Sequence, residues 1–116
     1  MSVPPDEVDF ERTVEEAVAS LPDDLRTFMS NVAVVIDDES PRPGVLGQYH
    51  GYPLTVRGSG YGAVPPDKIT IYRGPLERLY GADPARLRHE IRHVVLHEIA
   101  HHFGISDERL VELGRY

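Results

Sequence analysis

Residues 83–107, "DPARLRHEIRHVVLHEIAHHFGISD", decide how the rest of the chain is read. Asp83 can cap a helix, Pro84 suits its first position and Gly104 can end it. These signals predict a helix of about 20 residues, roughly 30 Å long. Val94, Val95, Leu96, Ile99, Ala100 and Phe103 are read as its core-facing residues. Histidines recur at positions 89, 93, 97 and 101, a spacing of four that stacks them along one helix face.

His97 and His101 can therefore point at one ion. Glu98 follows His97 directly and lies about 100° around the helix, poorly placed as a ligand beside them. It is well placed to reach a water held on such an ion and to take its proton. Two imidazoles and a water do not complete a tetrahedral site. Gly104 permits the left-handed backbone that turns a chain sharply back, and such a turn can bring Asp107 to the same ion. His97, His101, Asp107 and an open water position make the arrangement a catalytic zinc needs. The sequence has no cysteine, so a metal must rest on His, Asp or Glu, and N/O donors at this spacing favour one Zn²⁺ ion. H-E-x-x-H alone arises by chance in roughly one chain in 300 of this length, so the added Gly104 and Asp107 carry most of the weight.

The extended pattern H-E-x-x-H-x-x-G-x-x-D resembles the zinc signature of metzincin-type metallopeptidases in the variant with Asp as third ligand. With "GPL" upstream, it resembles the small bacterial MMP-like, or minimal zincin, family from about Val32 onward. The resemblance implies His97, His101 and Asp107 as zinc ligands and Glu98 as general base. It also implies a compact α+β zincin-like fold, with a small mixed sheet packed on the zinc-binding helix and a short C-terminal helix. One feature departs from true metzincins. Met1 and Met29 are the only methionines, so the methionine turn they carry downstream of the third ligand is missing from this sequence. A distant glutamate as third ligand has only Glu108 and Glu112 as candidates.

Upstream, residues 8–20 space Val8, Phe10, Val14, Ala17 and Val18 as an amphipathic helix does, and "DDLRTFMSN" adds a short second helix. "VAVVI" (32–36) reads as a buried strand and "KITIYRG" (68–74) as another, while "LGQYHGYPLTV" (46–56) supplies one or two short strands. "DDESPRPG" is a turn and loop, and "RGSGYGAVPPD" (57–67) a loop whose glycines lack the strand-to-helix setting of a dinucleotide fingerprint. "PLERLYG" is a short helical turn, and "SDERLVELGRY" a closing helix. The order α, β, β, β, α, α predicts one small α+β domain over residues 1–116.

The net charge of −7 is concentrated in residues 1–40, where eleven acids face only Arg12 and Arg26, and reads as a solvated acidic face. So acidic a chain is a poor partner for nucleic acid, which is bound through Lys and Arg contacts to phosphate. No apolar run reaches the roughly 20 residues of a membrane span. The acidic start "MSVPPDEVDFERTVEE" lacks the basic and apolar stretches of a secretory signal, so cytoplasmic residence is expected.

The leading expectation is a zinc-dependent peptidase acting on peptides or proteins. Two others stand beside it: a non-catalytic zinc-stabilised interaction module, and a metal-dependent endoribonuclease, because H-x3-H-x5-D resembles the H-x3-H-x5-H site of a bacterial RNA-processing family. Glu98 and the net acidity argue against the last. His50, His89, His93 and His102 are read as exposed or packing residues. Asp37, Asp38 and Glu90 are candidates to orient the ligand imidazoles. Tyr49, Tyr52, Tyr61, Tyr72 and Tyr116 are candidates to stabilise an oxyanion. "ITIYR" reads equally as an internal strand or as an edge that pairs with an extended peptide.

Overall fold

Alternating apolar side chains make β3 (Asp67–Tyr72) the strand around which the protein is assembled. The computed structural model describes residues 8–51 and 67–112. Helix α1 (Phe10–Ala19) is followed by α2 (Asp23–Arg26), a 3₁₀ turn (Thr27–Met29), β1 (Val32–Asp37) and β2 (Gly47–His50). After β3 come α3 (Arg73–Tyr80), α4 (Pro84–His102) and α5 (Asp107–Glu112). The fold is α+β. β3 pairs in parallel with β1, Val34 opposite Ile69, and antiparallel with β2, Tyr49 opposite Ile69, giving a mixed sheet of order β1-β3-β2.

That order decides between the two readings of "ITIYR". β3 is the internal strand, hydrogen-bonded on both sides, and β1 and β2 are the two edges among the described residues. β1 is only half-buried where a buried strand was expected. The proposed strand residues Pro53–Val56 and most of the loop 57–67 lie outside the described residues.

α4 forms where its caps predict. The Asp83 side chain accepts from the Arg86 backbone N–H, satisfying one of the donors a helix start leaves open. Its core side carries Leu87, Ile91, Val95 and Ile99, packed with Ile69 and Ile71 of β3, Leu76 of α3, and Phe10, Val14 and Ala17 of α1. Leu96 departs from expectation and is 39% exposed. It lies within about 40° of Arg92 and His89 on the helical wheel, on the solvent side. Among the described residues no helix is long and apolar enough to cross a membrane.

Gly47 lets β2 approach α4 closely. A Cβ there would lie 2.5 Å from Val94 Cγ1 and 3.3 Å from Glu98 Cγ. Val94 is β-branched and its rotamer in a helix is nearly fixed, so the clash cannot be relieved cheaply. Gly47→Ala is expected to cost about 1–3 kcal/mol by overpacking, read as a lowered melting temperature; an unchanged one would show that β2 does not press on α4.

Candidate metal centre

The helix end is built to reverse the chain. Gly104 adopts φ 84°, its N–H donates to the His101 carbonyl at 2.9 Å, and the Ile105 N–H donates to the Ala100 carbonyl at 2.9 Å. This is a Schellman closure, which satisfies carbonyls that a helix end would otherwise leave open. It starts α5 at Asp107, whose side chain falls back over α4.

There His97 Nε2 and His101 Nε2 each lie 3.1 Å from the same oxygen, Asp107 Oδ1. The two rings stand edge to face, centroids 4.8 Å apart. His97, Glu98 and His101 also offer ligand-type atoms within 4.8 Å of one another. The structure thus brings together all four residues singled out in the sequence. Zinc bonds of 2.0–2.2 Å in a tetrahedral sphere separate neighbouring donors by roughly 3.3 Å, and the spacing here is close to that.

His101 has a further feature. Its Nδ1 lies 2.8 Å from the Ile105 carbonyl oxygen, which can only accept, so Nδ1 carries the hydrogen. In the neutral ring, Nε2 then presents a lone pair to the Asp107 carboxylate, acceptor facing acceptor. That contact needs a cation, a proton or a metal ion, to be favourable. The donor set fits a divalent cation.

The cleft over these residues has a volume of about 640 Å³. It is lined on α4 by His93, His97, Glu98 and His101, and elsewhere by residues 44–49, Arg42 and Asp107. Burial pushes the Glu98 carboxyl above the ordinary carboxylate range, the Asp107 charge adds to the shift, and His101 opposes it. Burial likewise holds the His97 imidazole below its ordinary value, helped by neighbouring His101 and opposed by Asp107.

Glu98 therefore weakens the fold when it is charged. A carboxyl whose folded value is raised contributes fully below its unfolded value of 4.5, and that contribution is lost as pH rises through the folded value. In chelator-treated protein, Glu98→Gln is expected to raise the melting temperature at pH 7.5, with the gain vanishing on acidification below about 4.5. No gain at pH 7.5 would show that burial does not strain this carboxyl.

The helix-borne H-E-x-x-H on one wall of a cleft, with a mixed sheet packed on it and a returning Asp, defines a zincin-type metallopeptidase fold. The chain belongs to the zincin-like metallopeptidase family, which it matches over residues 29–115. A search of curated proteins finds no match to this chain.

Several candidates of the sequence analysis lie elsewhere. The partner of His101 Nδ1 is the Ile105 carbonyl rather than Asp37, Asp38 or Glu90, and Glu90 pairs with Arg86 at 2.8 Å. Tyr49 donates its hydroxyl to Asp67 Oδ2 at 2.5 Å and Tyr72 donates to Gln48 Oε1 at 3.0 Å, so both hydroxyl protons are committed. Tyr52, Tyr61 and Tyr116 lie outside the described residues. His50 and His89 are exposed, whereas His93 reaches the cleft, its ring centroid 6.2 Å from His97. His102, read as packing or solvent-facing, is 1% exposed and hydrogen-bonded to Asp67, a residue with no local signal to single it out. Its signal was available: His102 follows Ile91 and Val95 by 11 and 7 residues, within about 20° of both on the helical wheel.

Proposed function

We propose that this protein is a zinc-dependent peptidase in which His97, His101 and Asp107 hold the ion and Glu98 is the general base. The observation that carries the reading is the convergence of His97 Nε2, His101 Nε2 and Asp107 Oδ1, 3.1 Å from each histidine nitrogen, beside a buried carboxylate on the wall of an open cleft. Zinc held there supplies Lewis acidity, polarising the scissile carbonyl and acidifying water.

The chain's own residues supply the rest. Glu98, whose proton affinity burial raises, accepts a proton from the attacking water and returns it to the departing amine. A C–O bond forms, the C–N bond breaks, and the carboxylate is regenerated. The Ile105 carbonyl holds His101 in the tautomer that leaves Nε2 available. β2 supports a peptide or protein substrate: it lines the cleft, and no strand pairs with its outer side among the described residues. An extended chain laid beside it gains main-chain hydrogen bonds.

The test is hydrolysis of a mixed peptide library by zinc-loaded protein, with and without chelator. Cleavage that chelator stops and zinc restores supports the reading. Stoichiometric zinc with no peptide cleaved would overturn the enzymatic part and leave a zinc-stabilised interaction module.

A further inference from the structure

Behind the metal centre lies a second polar cluster, sealed from solvent, that the chemistry above does not use. His102, the last residue of α4, is 1% exposed, and Asp67, the first residue of β3, is 0% exposed. His102 Nδ1 lies 2.7 Å from Asp67 Oδ2, and His102 Nε2 lies 2.9 Å from the Phe28 carbonyl oxygen of the 3₁₀ turn. Tyr49 of β2 donates to the same Asp67 Oδ2 at 2.5 Å, and its ring stands edge to face with the His102 ring, centroids 5.9 Å apart. Gly51 also belongs to this packing, since any side chain there would collide with the Asp67 carboxylate.

Four segments thus meet at one buried pair: α4, β2, β3 and the 3₁₀ turn. Burying such groups is costly unless each polar atom is well paired, and here the pairing lies where the helix ends and the chain reverses. Phe103, the next residue, meets Phe28 edge to face with centroids 6.2 Å apart. Beyond it, Ser106, Asp107, Glu108 and Arg109 are all exposed. Asp107, with its side chain 59% exposed, is delivered to the histidines by an arm whose buried root is His102.

We infer that the Asp67–His102 pair, braced by Tyr49, is the positioning element of the third ligand. It pins the C-terminal turn of α4 to the sheet, so that the reversal at Gly104 places Asp107 Oδ1 over His97 and His101. The inference rests on the zinc reading, and it assigns His102 and Asp67 no contact with substrate or metal. Groups that orient a ligand from outside the coordination sphere typically govern metal affinity by about 10–100-fold.

A double-mutant cycle on zinc affinity tests it. Affinity is measured by competition with a chromophoric chelator for wild type, His102→Phe, Asp107→Ala and the double variant, with circular dichroism of the metal-free forms reporting the fold. His102→Phe keeps a ring in the cavity and removes both hydrogen bonds. The expected result is about tenfold weaker zinc binding from His102→Phe in the wild-type background and almost no further weakening in the Asp107→Ala background. A role confined to general stability leaves zinc affinity unchanged, or weakens it equally in both backgrounds; either result overturns the inference. If His102→Phe does not fold, Tyr49→Phe enters the same cycle, since it removes one hydrogen bond to Asp67 and keeps the ring. Its effect is expected to be smaller and still confined to the background that retains Asp107, and equal effects in both backgrounds overturn the inference again. A wild type that takes up no zinc defeats the underlying reading instead, which keeps the two failures distinct.

Discussion

Glu98→Ala is expected to lower peptide hydrolysis by at least about a hundredfold, and by as much as about ten-thousandfold, while leaving zinc content unchanged. Glu98 sits beside His97 on α4 but about 100° around it, so its carboxyl lies near the three converging donors without being one of them. Its burial raises its proton affinity, which suits a group that must both take and give a proton near neutral pH. Alanine abolishes that transfer and creates only a small cavity next to Gly47 and Val94. Turnover with substituted peptides and metal analysis of the same sample separate the roles. Lost zinc would make Glu98 a ligand, whereas retained zinc with retained activity would remove it from catalysis.

Asp107→Ala acts on the other half of the site. It is expected to weaken zinc binding by more than about a hundredfold, beyond what groups outside the coordination sphere typically contribute. Asp107 Oδ1 is the single oxygen that both Nε2 atoms approach, and without it a zinc ion would keep two protein ligands where catalytic sites use three. Because the Asp107 side chain is largely exposed, its loss should not unfold the metal-free chain. Chelator competition measures the affinity, and circular dichroism checks the fold. Wild-type affinity in this variant would transfer the third-ligand role away from Asp107.

The parts of this site legible in the sequence are those set by local rules. Asp83, Pro84 and Gly104 announce α4 because caps and reversals depend on a few adjacent residues. Helical spacing puts His97 over His101, and the interval to Asp107 equals one reversal. Strand order is different in kind. β3 joins β1 across about 35 intervening residues, a pairing with no local signature, and "ITIYR" alternates the same way in an edge or an internal strand. Leu96 reads as core by its chemistry, although its angle aligns it with the exposed His89 and Arg92. His102 lies about 100° from the ligand His101, but its alignment with Ile91 and Val95 marks it as buried and therefore in need of a partner. That partner, Asp67, is 35 residues away and could emerge only from the fold.

The most direct test of the metal centre is elemental analysis of wild-type protein purified without chelator and without added metal, alongside His97→Ala. One zinc per chain in the wild type, and much less than one in His97→Ala, is the expected result. A folded wild type that carries no stoichiometric divalent metal and takes none up on addition would contradict the site, and with it the peptidase built upon it.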